Sequence, residues 1–360
     1  MSEDKGSPNS EEEVKLASGS LQTALILGAG ATRGAIGHVL LNRKRLKPPL
    51  NGDFFDVAAT YARAKGSGTR KRVDHLLAVG AELALGRNPT LEEAFSLLYI
   101  AKDFPEIYKS GPGPKPEPGI SSEIDDFLAL LFGVLNEVDR NSNGHTGYDR
   151  LTRSLESGDS VLTLNYDTCL DSALKRAGWD PASGYDLIGG KGKCKWAGPN
   201  AAVSNAKGVK LLKLHGSMNW WVRGSSADLT KVFSKKPTLI TGPRRNGRHG
   251  LLRQIVPPIH GKFFSHPHWA KLWKTAFQAL CTADRIVVIG CSIVDTDFHL
   301  QGFLRRMVKT RKSLQRFREA VLVDRSVKVR RKWKKVLRGA VSSSQEFPSF
   351  EAFLEKGART

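Results

Sequence analysis

Short, predominantly apolar runs closed by a glycine or a polar residue recur along the chain. Thr23–Leu27 is followed by Gly28, Ser160–Leu164 by Asn165, Val209–Leu214 by His215-Gly216, Arg285–Ile289 by Gly290 and Ala320–Val323 by Asp324. Each is too short for a helix, and the pattern is that of buried strands. Ile255-Val256-Pro257-Pro258 is a further short candidate, whose prolines place it at a strand end or edge. Elsewhere the spacing is helical. Residues 71–138 read mainly as helices, the first punctuated by Leu76, Leu77, Leu83 and Leu85. A second opens on the capping box Thr90-Leu-Glu-Glu93 and runs apolar through Tyr99. A third follows Ser122, with Asp125 as its box partner, and carries Phe127, Leu128, Leu131, Phe132 and Leu135. Another is expected from about His268 to Thr282.

GPGPKPEPG (111–119) reads as a linker, and residues 42–70, broken by Pro48, Pro49, Gly52, Gly66 and Gly68, as loop-rich. No internal repeat is visible. Strands alternating with helices predict an α/β fold: a Rossmann-like parallel sheet with helices on both faces, functional loops at its carboxyl edge, and an inserted helical small domain at about 71–138.

Composition narrows this picture. The chain has 360 residues, 40% hydrophobic and 25% charged, enough for one large α/β domain or two modest ones. No apolar run approaches the ~18–20 residues of a membrane span. MSEDKGSPNSEEE at the start has neither a basic n-region nor an apolar h-region, so residues 1–20 are expected to be a disordered acidic leader and not a secretory signal. Cys169, Cys194, Cys281 and Cys291 form no CxxC pair, which suits reduced thiols and a cytoplasmic location. The net charge is +21, and residues 301–360 hold 17 Lys and Arg against 5 Asp and Glu. Such a tail suits non-specific contact with nucleic acid or another polyanion, or equally a solvated helical face. Within it, Arg330-Arg-Lys-Trp-Lys-Lys335 surrounds one aromatic, and Trp333 with Val329, Val336 and Leu337 makes an apolar stripe at helical spacing that must dock on something.

Four places carry candidate chemistry. Gly28-Ala-Gly-Ala-Thr-Arg-Gly34 follows the first strand, and closely spaced glycines let backbone amides approach a pyrophosphate. Arg33 stands where the dinucleotide fingerprint needs its third glycine, and Asp53 and Asp56 fall in the loop-like stretch, so a nicotinamide dehydrogenase is disfavoured. Thr163-Leu-Asn-Tyr-Asp167 brings polar groups out of an apolar strand, where open α/β sheets bind ligands; Asp167 also suits a helix N-cap near Thr168. Leu214-His-Gly-Ser-Met-Asn-Trp220 puts His215 at a strand end, placed either to exchange protons or to serve as a buried structural histidine. Gly290-Cys-Ser-Ile-Val-Asp295, then Thr296-Asp297, offers a glycine turn, a hydroxyl and acids for ribose hydroxyls, with helix capping by Asp295 or Asp297 as the competing reading.

In this order the four motifs resemble the sirtuin (silent information regulator two) family over most of residues 23–325. GAGAT is similar to the family's first glycine loop, LNYD stands where sirtuins carry Gln-Asn-x-Asp, LHGS matches the strand with the catalytic histidine, and GCSIVDTD resembles the late glycine–serine loop. Two departures stand out. His38-Val-Leu lies where deacylases carry Asp-Phe-Arg, and the two Cys pairs of the structural zinc are missing. The zinc-free, helix-inserted chain resembles the branch found in bacterial antiphage defence, which degrades NAD.

The resemblance implies a catalytic domain over 21–330 followed by a basic C-terminal segment, 331–360. It implies NAD as substrate, no metal, and hydrolysis to nicotinamide and ADP-ribose. Asn165 would orient ribose hydroxyls and the attacking water, His215 would accept a proton, and Asp167 would support the ribose. Gly28, Ala29, Gly30 and Thr32 would hold the pyrophosphate; Gly290, Ser292, Asp295 and Asp324 the adenosine half. An NAD hydrolase needs restraint, so a regulatory protein partner or a homo-oligomer is expected to gate it. The alternatives are an NAD-dependent protein deacylase and a nucleic-acid-binding module on an inert NAD fold.

Overall fold

The computed structural model describes residues 21–83, 89–103, 120–142, 146–178, 187–190, 193–196, 208–223, 238–239, 251–259 and 267–356. From the N-terminal side, β1 (Thr23–Leu27) enters α1 (Ala29–Ile36), and the hairpin β2 (Val39–Leu41) and β3 (Lys44–Leu46) follows. Then come α2 (Phe54–Lys65), α3 (Ser67–Leu83), α4 (Leu91–Asp103), α5 (Ile120–Asn141) and α6 (Gly147–Ser154). β4 (Ser160–Thr163) and α7 (Cys169–Arg176) precede the short strands β5 (Leu187–Gly190) and β6 (Lys193–Trp196), then β7 (Lys210–Lys213). β8 (Gly216–Arg223), β9 (Thr238–Leu239) and β10 (Leu251–Ile255) form a small antiparallel sheet. The chain returns through α8 (Pro267–Thr282), β11 (Arg285–Ile289), α9 (Phe298–Ser313), β12 (Phe317–Val323), α10 (Val327–Leu337), β13 (Val341–Phe347) and α11 (Phe350–Lys356).

Six strands make one parallel sheet in the order β13-β12-β11-β1-β4-β7. Ala24–Leu27 and Ile286–Ile289 at its centre are buried, as apolar runs flanked by strands on both sides must be. The chain order reverses at β1, and open α/β sheets hold ligands beyond the carboxyl ends of the strands at such a point. The expected parallel α/β architecture is therefore observed. No helix among the described residues is long and apolar enough to cross a membrane.

The helical module beside the sheet is held by aromatics. Phe127 of α5 meets Phe95 of α4 edge-on at 4.5 Å between centroids and stacks with Phe54 of α2 at 5.7 Å. The capping box at α4 is present: Thr90 Oγ1 accepts from the Glu93 amide (3.2 Å) and Glu93 Oε2 from the Thr90 amide (3.0 Å).

Several expectations need correction. Residues 42–70 are not loop-rich, because they hold β3, a 3-10 turn at Asn51–Asp53, all of α2 and the start of α3. Gly66 does separate the two helices, at φ +108°, but Gly68 lies inside α3 and Asp56 inside α2. The third helix starts at Ile120, ahead of the Ser122–Asp125 box. Ile255 closes β10, outside the parallel sheet, with Pro257 and Pro258 just beyond the strand. The linker at 111–119 and the leader at 1–20 lie outside the described residues. Residues 331–356, expected as a basic segment beyond 330, hold most of α10 and all of β13 and α11, so they supply the sheet's edge strand.

Candidate active site

The glycine turn after β1 packs against the turn after β11. Gly30 donates its amide to Gly290 O (2.9 Å), and Gly28 to Ile289 O (3.1 Å). A Cβ on Gly28 would stand 2.5 Å from Gly290 O, one on Gly30 2.8 Å from Gly290 Cα, and one on Gly290, at φ +54°, 2.2 Å from Ala31 N. Only glycine permits this approach of two backbones at the sheet's carboxyl edge. The amides of Gly28 and Gly30, expected to face a pyrophosphate, are thus committed to carbonyls at the end of β11 and in the turn after it. Ala29, the first residue of α1, lines the cavity described below.

Four polar side chains converge over this turn. Asn165 Nδ2 donates to Gly28 O (2.9 Å) and to Thr32 Oγ1 (3.0 Å). Thr32 Oγ1 in turn donates to Asp167 Oδ2 (2.9 Å) and lies 2.9 Å from the Tyr148 hydroxyl. The single Thr32 proton goes to the carboxylate, so Tyr148 is the donor in the second contact, and the hydroxyl's capacity is filled. Burial first, and the nearby Asp167 next, push the Tyr148 hydroxyl well above its usual pKa, which keeps it a neutral donor. Asp167 Oδ1 accepts from the Cys169 amide (3.1 Å), so the capping role weighed for it is real, although Thr168 is the N-cap residue itself. With both amide protons of Asn165 engaged, its Oδ1 is the atom left to accept a hydrogen bond from a ligand.

A second buried network sits beneath the loop. Lys213, 1% exposed, donates to Asp167 O (2.5 Å) and to Asp171 Oδ2 (3.1 Å). Burial pushes the Asp171 carboxyl up to about 6 against the opposing pull of Lys213. Asp139, also raised by burial, accepts from Thr168 (2.7 Å) and Ser172 (3.4 Å). Tyr166 anchors the other side of the loop by donating to Val256 O (2.7 Å).

His215 occupies the turn between β7 and β8 and is nearly buried, its Nε2 3.5 Å from Asp297 Oδ2. Asp297 is the N-cap of α9, its Oδ1 accepting from the Leu300 amide (3.0 Å). Trp273 lies beside the imidazole, ring centroids 6.4 Å apart.

These elements enclose a cavity of about 170 Å³. Its wall includes Ala29, Thr32, Asn165, Asp167, His215 and Ser292, six of the residues expected to bind or act. Asp295 and Asp324 lie outside this wall. Asp295 is exposed and paired with Lys332 (2.5 Å), and Asp324 accepts from the Ser326 amide (2.7 Å). Burial raises the Asp324 carboxyl.

Other cavity residues went unread in the sequence. Glu92 was visible only as part of a helix start, yet it faces the cavity and accepts from Thr296 Oγ1 (3.1 Å), joining the helical module to the late glycine loop. Pro48, Pro49, Leu50 and Asn51 form another part of the wall. Arg33 holds that segment through Nε to Pro48 O (2.7 Å) and a two-pronged pair with Asp53. The residue that breaks the dinucleotide fingerprint therefore builds the pocket; no spacing rule announces that.

The sequence profile of the SIR2-like domain family matches residues 159–338, half of the chain, and spans Asn165, Asp167, His215, Ser292 and Asp297. Among solved structures, one of a Sir2 mutant with p53 peptide and NAD is similar at 11% identity, covering 93% of this chain and 91% of that one with a TM-score of 0.35. A second, on the mechanism and regulation of Sir2 enzymes, is similar at 13% identity over 85% and 81% of the two chains with a TM-score of 0.31. No curated relative matches significantly. On the extent of the profile match, the chain belongs to the SIR2-like domain family.

Proposed function

We propose that the protein hydrolyses the nicotinamide–ribose bond of NAD, giving nicotinamide, ADP-ribose and a proton. Family membership supports NAD-dependent chemistry, and the observation that carries the reading is the polar set Thr32, Asn165, Asp167 and His215 on one small, largely apolar cavity. Cavities of about 150 Å³ hold a benzene-sized ring, so this one suits the nicotinamide end of the dinucleotide. Departure of neutral nicotinamide builds oxocarbenium character on the ribose. Asn165, its Nδ2 fixed by Gly28 and Thr32, turns Oδ1 to a ribose hydroxyl or to the attacking water. His215 takes the water's proton as the C–O bond forms. Asp167 holds Thr32 and the loop and adds negative potential beside the developing cation. The Ala29 amide at the start of α1 offers the pyrophosphate a donor on the positive end of the helix.

Hydrolysis is preferred to deacylation because His38-Val-Leu replaces Asp-Phe-Arg and no pair of CxxC motifs is present. Strand β2 begins at Val39 and pairs with β3. The setting proposed is the cytoplasm of a bacterial cell under phage attack, with a regulatory partner or self-assembly gating the activity.

The test is incubation of purified protein with NAD and identification of the products. Nicotinamide and ADP-ribose without any peptide are expected. His215→Ala and Asn165→Ala should each lower turnover by about 100-fold or more while remaining folded. Cleavage that appears only with an acyl-lysine peptide would make the protein a deacylase instead.

A further inference from the structure

We propose that Asp297 is the positioning residue for His215, forming with it a buried carboxylate–imidazole pair. This rests on the hydrolase reading for its catalytic consequence, but not for the pairing itself. His215 leaves the carboxyl end of β7, and Asp297 follows β11; two strands, β4 and β1, lie between them in the sheet. Their loops nevertheless meet, bringing Nε2 and Oδ2 to 3.5 Å with the histidine 6% and the aspartate 2% exposed. Capping α9 needs only one oxygen, and Oδ1 supplies it to Leu300. Serine, threonine or asparagine would cap as well. A buried carboxylate carries a desolvation cost that a neutral cap avoids, so its second oxygen calls for a partner that repays the charge.

The imidazole fits that role. A carboxylate on Nε2 selects the tautomer protonated there, leaves Nδ1 as the accepting nitrogen, and stabilises the imidazolium formed when His215 takes a proton. The Trp273 ring lowers the local polarity on one side, which strengthens the attraction. Among the described residues that line the cavity, the other charged groups are Glu92 on α4 and Asp167 in the loop after β4. Asp167 is engaged by Thr32 and the Cys169 amide, and Glu92 by Thr296. Lys213, two residues before His215, is directed at Asp167 O and Asp171.

Asp297→Asn separates the two duties of the side chain, since asparagine caps as well as aspartate but brings no charge to the histidine. Two measurements are made on the full-length protein. The first is the imidazole titration of His215 by NMR, with the resonance assigned by its loss in His215→Ala. Its midpoint should fall by about one unit or more in Asp297→Asn, the scale on which a neighbouring opposite charge moves a titrating group. The second is NAD turnover, where kcat should drop by about 100-fold or more with KM changed by less than about threefold, as for loss of an orienting carboxylate. Asp297→Ser, also a capping residue, must behave likewise, and it replaces the asparagine variant if that one does not fold. An unchanged His215 midpoint overturns the pairing, whatever the turnover. A shifted midpoint with near wild-type kcat overturns the positioning role. If the wild-type protein consumes no NAD even at high concentration and with an extract of phage-infected cells added to supply a gating partner, the hydrolase reading fails, and the titration still decides whether the pair exists.

Discussion

Gly290 combines a left-handed backbone, φ +54°, with a neighbour so close that a Cβ would meet Ala31 N and Gly30 C at 2.2 Å. Neither cause can be relieved by a rotamer change, because both contacts are with backbone. Gly290→Ala should therefore cost about 2–5 kcal/mol of unfolding free energy, combining left-handed strain with overpacking. Urea unfolding of the two proteins checks this, and equal midpoints would show that the turns can separate. The glycine positions were legible in the sequence as turns at strand ends, and Asn165 and His215 as polar residues at the carboxyl ends of strands. That Gly28 and Gly30 spend their amides on the end of β11 and the turn after it was not legible, because the contact joins residues some 260 apart. Asp297 illustrates the same limit. Its cap to Leu300 is local and readable, whereas its approach to His215 exists only once the sheet has been assembled.

Local pattern carried most elements, and failed where an element's stability comes from its neighbours. β1, β4, β11 and β12 were readable because central parallel strands must be apolar on both faces, and β7, at the edge opposite β13, because its Leu211 and Leu212 are buried all the same. β13, Val-Ser-Ser-Ser-Gln-Glu-Phe, is an edge strand with exposed residues at every position from Ser342 to Glu346, so no apolar run marks it. It pairs with β12 through backbone bonds that any sequence can make. α10 shows how a helix pattern can be right while its partner is unforeseen. Trp333 and Leu337 are buried and Val329 and Val336 pack on the core, so the apolar stripe docks on the protein's own fold. Trp333 Nε1 also donates to Cys291 O (2.6 Å), directly before Ser292 of the cavity wall. Trp333→Ala should lower stability by about 3–5 kcal/mol, the range for an emptied aromatic site. Trp333→Phe, which keeps most of the ring volume but not the N–H, should recover most of that loss. Thermal unfolding of both variants gives the comparison. A small effect of the alanine change would mean that α10 is a peripheral attachment rather than part of the core.

At the scale of the whole molecule, the surplus of 12 positive charges in the last sixth of the chain is less available than composition implied. Arg330 and Lys334 both pair with Glu346, and Lys332 pairs with Asp295, so three cations of the 330–335 cluster already face the protein's own acids. Lys334 also lines a cleft of about 430 Å³ over β12 and β13, together with Arg331, Lys335, Arg338, Ala320, Leu322 and Val341. The overall α/β class was readable from strands and helices alone, but this division of charge was not, since it depends on which cations of α10 reach Glu346 or Asp295 once the fold has assembled. A cation already held by a carboxylate gains less by meeting a phosphate, because one pairing must be exchanged for another. Single-stranded DNA is therefore expected to bind weakly and without sequence preference, with Arg331, Lys335 and Arg338, the cleft cations other than the Glu346-paired Lys334, making most of the phosphate contacts. Three contacts give a slope of log affinity against log salt near −2 on a single strand, at about 0.7 per phosphate. Replacing Arg331, Lys335 and Arg338 with Gln should flatten that slope towards zero and leave NAD cleavage unchanged. Replacing Arg330 and Lys334 should flatten it less. A slope that responds equally to both sets would show that the ion pairs open freely on binding. Tight binding of one sequence by a protein that never consumes NAD would instead favour the nucleic-acid module over the enzyme.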